Sequence, residues 1–398
     1  MRILLINHFP LEGSGSGIYT KNIAFELVRR GHEVAVIYTE NEDETYEEFT
    51  CYPIMFKNSM GEDGLYYDFP CFSSHPRSSY TYYEMDELQI QSYIKAFERV
   101  TALAIEEFKP DIIHAQHLWI APYVAAKFKI PFIATAHGTD IKGFRKDERF
   151  HPYALEGTQK AAKVITISKN VDEEVKALYG IGDDRRLLIY NGYDEDLFKP
   201  LKNATRKEVL NHFNLKIEPE HIVFFAGKLT HFKGVDVLLN AARIYERKNQ
   251  NIATLIAGNG ELYEELLLMK RRLELQNVHF LGHIKQHDLV ALYNIADVSV
   301  VPSRTEPFGL VAVEALACGT PVVGTNQGGL PDFIIPEVGE LVEVEDDLAL
   351  AEAIESELVR EDKASRRVAC HEYAKKHFSW KKTIEKLEEI YQNVLKGE

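Results

Sequence analysis

The sequence predicts an α/β protein made of two open, doubly wound parallel sheets, each covered by helices on both faces. Three observations predict it. Strand and helix patterns alternate almost throughout the chain, as they do when crossover helices connect parallel strands. A second series of strand–helix units starts afresh near residue 221, after a turn-rich acidic segment. The length of 398 residues suits two domains of about 200 residues each.

In the first series, strands are expected near 2–7, 33–38, 111–115, 131–136, 163–167 and 187–190, with helical patterns at 18–30 and 87–108. The segment Asn191-Gly192-Tyr193-Asp194-Glu195-Asp196-Leu197-Phe198-Lys199-Pro200 reads as a linker. The second series opens with His221-Ile222-Val223-Phe224-Phe225-Ala226 and continues with strands near 252–257, 278–281, 297–301, 321–323 and 340–344. A last helix, capped by Ser379, runs to Lys396. The expected division is 1–195, 196–378 and a terminal helix over 379–398. Two such units leave a cleft between them, and open α/β sheets bind ligands at the carboxyl ends of their strands. Residues 41–86 break the rhythm with many rings, among them Tyr46, Phe49, Tyr52, Tyr66, Tyr67, Phe69, Phe72, Tyr80, Tyr82 and Tyr83. They read as an insertion packed on the first domain; the other reading is a flexible acceptor-side wall on which sugar or other rings stack.

A formal net charge of −15 argues against a nucleic-acid groove and against tight binding to anionic membranes. Four cysteines without Cys-x-x-Cys spacing suit a reducing compartment. Met1-Arg2 leads straight into a strand, and no apolar run approaches the roughly 20 residues that span a bilayer. A cytoplasmic protein without signal peptide is expected, peripheral at a membrane at most.

The chemistry concentrates in Glu306-Pro307-Phe308-Gly309-Leu310-Val311-Ala312-Val313-Glu314. Pro307 and Gly309 keep Glu306 in a loop, whereas Glu314 falls about one turn inside a helix. The amides from Phe308 to Val311 then lack intrahelical partners and form an anion site with a carboxylate on each side. A capped, solvated helix would show the same two glutamates. Gly227-Lys228-Leu229 follows a strand, and Lys233-Gly234 opens the next helix. Both ammonium groups can neutralise a diphosphate, and a pair of surface lysines is the plain alternative. Gly13-Ser14-Gly15-Ser16-Gly17 permits close backbone approach and could offer amides to phosphate or sugar. Thr20 stands where a dinucleotide fingerprint would need its third glycine, although Glu40 ends the second strand as a ribose-binding acid would. His137, in Thr135-Ala136-His137-Gly138-Thr139-Asp140, could donate or accept a hydrogen bond to a sugar hydroxyl, or bond nearby backbone instead. His114 with His117, and His279, His283 and His287, lack the spacing of a metal framework, and no metal site is expected.

On these motifs the chain resembles the retaining glycosyltransferases of family 4, which have the GT-B architecture of two Rossmann-like domains facing a central cleft. The likeness covers essentially the whole chain. It rests on the glycine loop at 13–17, Arg29-Arg30-Gly31-His32-Glu33-Val34, His137-Gly138-Thr139-Asp140, Asn191-Gly192, Gly227 to Gly234, Gly258-Asn259-Gly260, Val300-Val301-Pro302-Ser303, Glu306 through Glu314, and Gly319-Thr320-Pro321-Val322-Val323. The resemblance implies that Glu314 binds ribose hydroxyls and Glu306 contacts hydroxyls of the donor sugar. The amides of Phe308, Gly309, Leu310 and Val311 would hold sugar and diphosphate, and Lys228 and Lys233 would grip the diphosphate. His137 would approach the sugar, Gly15, Ser16 and Gly17 would line the phosphate side, and Gly227, Gly258 and Asn259 belong to the same binding motifs. Ile284 would wall the base, and the terminal helix would cross back onto the first domain. Lys228 stands where the family usually has Arg, which exchanges a planar fork for a point charge. Tyr193 replaces a small apolar residue.

The expected activity is transfer of a hexosyl unit from a UDP-, GDP- or ADP-linked sugar to the hydroxyl of a small molecule, glycan or lipid-linked acceptor. It would retain anomeric configuration and need no metal or other cofactor. A sugar-nucleotide epimerase of the same architecture and a non-catalytic nucleotide-sugar-binding module are the competing readings.

Overall fold

The computed structural model describes residues 1–42, 44–57, 65–73, 75–202 and 204–397. The chain divides into two compact units, the first comprising Met1–Gly192 and Trp380–Glu398, the second Tyr193–Ser379.

The first unit is a seven-stranded, wholly parallel sheet of order β3-β2-β1-β4-β5-β6-β7. Its strands are β1 (Arg2–Ile6), β2 (Glu33–Glu40), β3 (Thr50–Met55), β4 (Ile112–Gln116), β5 (Phe132–Ala136), β6 (Val164–Thr166) and β7 (Arg186–Leu188). The connecting helices are α1 (Gly15–Arg29), α2 (Glu87–Phe108), α3 (Ile120–Ala125), α4 (Thr139–Lys146), α5 (His151–Lys160) and α6 (Lys169–Tyr179). Local signals set their ends. Asp86 accepts from the Gln89 amide as α2 begins, and Gly180, with φ of 65°, ends α6 in the left-handed region. β3 was not expected from the sequence. It pairs with β2 at the sheet edge, where Pro53 is tolerated because no inner neighbour needs its missing N–H.

The second unit holds a six-stranded parallel sheet of order β10-β9-β8-β11-β12-β13. After α7 (Arg206–His212) come β8 (His221–Ala226), α8 (Val235–Lys248), β9 (Ile252–Ala257), α9 (Tyr263–Arg272), β10 (Val278–Gly282), α10 (Gln286–Ile295), β11 (Val298–Val301), α11 (Leu310–Ala317), β12 (Val322–Thr325), β13 (Gly339–Val342), α12 (Asp347–Leu358) and α13 (Lys363–His377). From Tyr193 on, the segment read as a linker is packed within this unit. Tyr193 and Phe198 are buried, and the Asp194 carboxylate accepts from the amides of Asp196 and Leu197 in a tight turn.

The chain then returns to the first unit as α14 (Trp380–Lys396). Trp380, Ile384, Leu387, Tyr391 and Val394 fall on one stripe and enter the core formed by β1, β2 and α1. In the aromatic stretch, Phe49, Phe56, Phe69, Phe72 and Tyr82 are buried and Tyr66 is 68% exposed, as a covering insertion requires; residues 58–64 and 74 lie outside the described residues. Among the described residues, no helix is long and apolar enough to cross a membrane.

Candidate active site

In the second unit the strand order reverses between β8 and β11, so the loops leaving these two neighbours diverge and open a crevice at their carboxyl ends. Lys228 and Lys233 lie on the loop after β8, and Ser303 and Glu306 on the loop after β11. The structure brings Lys233 and Glu306 together: the Lys233 Nζ donates to Glu306 Oε2 at 2.6 Å. The Ser303 hydroxyl donates to the same oxygen at 3.2 Å. Glu306 is only 6% exposed, so this carboxylate is desolvated and held by charge-assisted bonds. Lys228 is half-buried beside Gly227 at the end of β8.

The neighbouring loops are drawn tight by backbone contacts. Gly258, with φ of 143°, leaves β9 so close to β8 that a Cβ there would lie 1.8 Å from the Gly227 carbonyl oxygen. The Asn259 carbonyl accepts from the Leu229 amide, which ties the loops after β8 and β9 together and leaves the Asn259 side chain exposed. Ile284 is half-buried on the loop after β10.

Helix α11 starts where the sequence placed it. Gly309, with φ of 102°, turns the chain into Leu310, and Glu306 stays in the preceding loop. The Leu310 and Val311 amides open the helix without an acceptor among the described residues, and the first bonds back to Gly309 come from Ala312 and Val313. Phe308 is buried against Phe333 and Phe378, which anchors the turn. Glu314 sits one turn in, on a helix that reads Leu-Val-Ala-Val-Glu-Ala-Leu-Ala. With apolar neighbours on its own helix and 9% exposure, its carboxyl is pushed by burial up to about 8, with the Tyr293 hydroxyl pulling weakly the other way.

In the first unit the order reverses between β1 and β4. His137 follows β5 and is 7% exposed; burial lowers its pKa to about 3, so the ring is neutral. Its Nε2 lies 2.9 Å from Gln116 Oε1 at the end of β4. Asp140 holds the loops behind it: one carboxylate oxygen accepts from the Leu118 amide at 2.7 Å, the other from the His137 amide at 3.2 Å. The motif His137-Gly138-Thr139-Asp140 thus ties together the exits of β4 and β5.

One expectation is corrected by this geometry. Gly15, Ser16 and Gly17 are not loop residues but the first turn of α1, capped by Ser14. The Gly17 amide is taken by the Ser14 hydroxyl at 3.0 Å, so it has no proton left for a phosphate. Gly17 is needed for packing instead, because a Cβ there would stand 2.1 Å from the Pro10 carbonyl oxygen. At His137 the Nε2 meets the Gln116 side chain, not nearby backbone. Gln116, Ser303 and Tyr293 were missed as members of their sites. Gln116 had one legible signal, a polar residue ending an apolar strand at a carboxyl edge.

The sequence pattern of the family described as Glycosyltransferase Family 4 matches residues 13–197, and that of Glycosyl transferases group 1 matches residues 206–377. An uncharacterized glycosyltransferase of Methanocaldococcus jannaschii is 32% identical over 339 residues, covering 81% of this chain and 80% of the relative. The D-inositol 3-phosphate glycosyltransferase of Corynebacterium jeikeium is 30% identical over 434 residues, covering 99% and 97%. Among solved structures, sucrose-phosphate synthase from Thermosynechococcus elongatus superposes with a TM-score of 0.80 at 22% identity, covering 100% of both chains. HepE from Anabaena, solved in complex with UDP-glucose, gives 0.76 at 20% identity and covers 99% of this chain and 100% of its own. None of these relatives is named as an epimerase. With two parallel α/β sheets and both halves matched, the chain belongs to the family 4, group 1 glycosyltransferases and has their GT-B fold of two Rossmann-like domains.

Proposed function

We propose that this glycosyltransferase moves a hexosyl unit from a nucleotide diphosphate sugar to an acceptor hydroxyl, with retention at the anomeric carbon and without a metal ion. The observation that carries the reading is the pairing of Lys233 with the desolvated Glu306, in the loop just before the Leu310 and Val311 amides, which have no acceptor among the described residues. An ammonium group and a helix start are suited to the charge that grows on a departing diphosphate. Lys228 adds a second cation after β8. Glu306 is suited to donor-sugar hydroxyls and Glu314 to the ribose. The tight loops at Gly227, Gly258 and Asn259 let backbone approach the nucleotide, with Ile284 against the base. The UDP-glucose complex of HepE supports a nucleotide-sugar donor.

In the proposed reaction the bond from the anomeric carbon to the diphosphate oxygen breaks, and a bond from the acceptor oxygen to that carbon forms on the same face. The acceptor proton passes to the departing diphosphate. Lys233→Ala is expected to lower turnover of the preferred donor by roughly 100-fold or more, since it removes a charge aimed at the leaving group. Near-normal turnover would refute the assignment. NMR of the product reads the anomer directly, and an inverted linkage defeats retention. Full activity after exhaustive chelation is the expected result for a metal-independent transfer, and loss of activity restored by a divalent ion would overturn it.

A further inference from the structure

The carboxyl edge of the first unit carries an ordered run of buried polar groups. His8 Nε2 accepts from the Ala121 amide at 3.0 Å, so its Nδ1 carries the proton and donates to the Tyr93 hydroxyl at 2.7 Å. His114 spans Tyr391 and Thr135, each at 2.7 Å. His137 stands at the end of this run, with the His117 ring centroid 4.7 Å away and that of Tyr19 at 5.0 Å. A carboxamide oxygen can only accept, so the 2.9 Å contact to Gln116 Oε1 places a proton on His137 Nε2. His137 Nδ1 is then a bare lone pair, with no partner among the described residues. Gln116 is itself fully buried, and its Nε2 is also unpartnered.

We propose that Gln116 is a positioning residue for the transfer reaction: by accepting the Nε2 proton of His137 it fixes the tautomer that presents Nδ1 to substrate as a hydrogen-bond acceptor. The substrate group this suits is a hydroxyl, which donates to Nδ1. An anionic phosphate oxygen would meet a lone pair and be repelled. Burial keeps the imidazole uncharged across the working pH range, so the tautomer decides what His137 can do. The inference rests on the part proposed for His137 in transfer, and its first test does not depend on activity.

That test is nitrogen NMR of the full chain labelled with 15N-histidine, the His137 signals being identified by their loss in His137→Gln. The Nε2–H form is expected, with Nδ1 at the shift of an unprotonated nitrogen. An Nδ1–H pattern would overturn the proposal whatever the enzyme does. Gln116→Met keeps the bulk of the side chain and removes the acceptor. It is expected to mix the two tautomers and lower kcat by roughly 10- to 100-fold, as misorientation of a reacting group does, with a much smaller change in the KM for the donor. An unchanged tautomer together with unchanged kcat in this variant would also overturn it. A wild-type Nε2–H signal in a protein that turns over no nucleotide sugar would leave the tautomer assignment standing and defeat only the proposed donor chemistry.

Discussion

At the scale of single residues, Glu314 has the most direct solution signature. An ordinary glutamate ionises near 4.5, and this one is held up to about 8 by its apolar surroundings. Between those values the folded protein keeps a proton that the unfolded chain releases, so this group's contribution to stability is full below about 4.5 and is lost as pH rises through about 8. The slope from this group is on the order of 1.4 kcal/mol per pH unit within that window. Glu314→Gln has no proton to lose. Its melting temperature is expected to vary less between pH 5 and pH 8.5 (roughly the window of the shift) and to exceed that of the wild type at the upper end. Equal slopes for the two proteins would show that Glu314 titrates normally. If ribose hydroxyls donate to this carboxyl, they favour its ionised form, so nucleotide binding near neutral pH should release a proton. Calorimetry in buffers of different ionisation enthalpy measures that release directly, and a binding enthalpy independent of buffer would count against the ribose role.

At the scale of elements, the loops of the second unit proposed to meet the nucleotide depend on glycines placed for close approach. Gly258→Ala puts a methyl group into the Gly227 carbonyl at a backbone angle that side chains rarely adopt. A loss of about 1–3 kcal/mol is expected, from strain at β8 and β9, together with weaker nucleotide affinity; an unshifted thermal melt would contradict it. Such loops also show what could be read before the structure. Most strands from β8 to β12 were legible because they are short apolar runs bounded by turn residues, and α11 was legible because Pro307 and Gly309 disfavour an earlier start. β3 was hidden by Pro53 and by an aromatic stretch with no clean alternation, since only its edge position makes the proline harmless. The glycine loop was legible as glycine-rich, but whether Gly17 offers its amide outward or inward depends on Ser14 folding back as a cap. The pairing of Lys233 with Glu306 joins loops 73 residues apart in sequence, and no local pattern announces it. Gln116 and His137 meet only because β4 and β5 are neighbours in the sheet.

At the scale of the whole molecule, the first unit is assembled from two separated pieces of chain, and its second piece is α14. Tyr391 donates to or accepts from His114 at 2.7 Å deep in that unit, while Trp380 packs on Tyr19 with ring centroids 5.4 Å apart. Ending the chain at residue 379 would expose the apolar stripe of α1, β1 and β2 that α14 covers. Loss of five buried side chains at about 1.5–3 kcal/mol each is as large as the usual stability of a domain. The shortened chain is therefore expected to lose the cooperative melt of its first unit, read by thermal unfolding and by protease cleavage within 1–192. A shortened chain that melts like the full one would refute this. Because residues 380–398 follow the second unit in sequence, the opening half of the polypeptide must wait, with part of its apolar surface uncovered, until that unit has been made. Its nascent form therefore needs protection for the whole time that the intervening unit is being made.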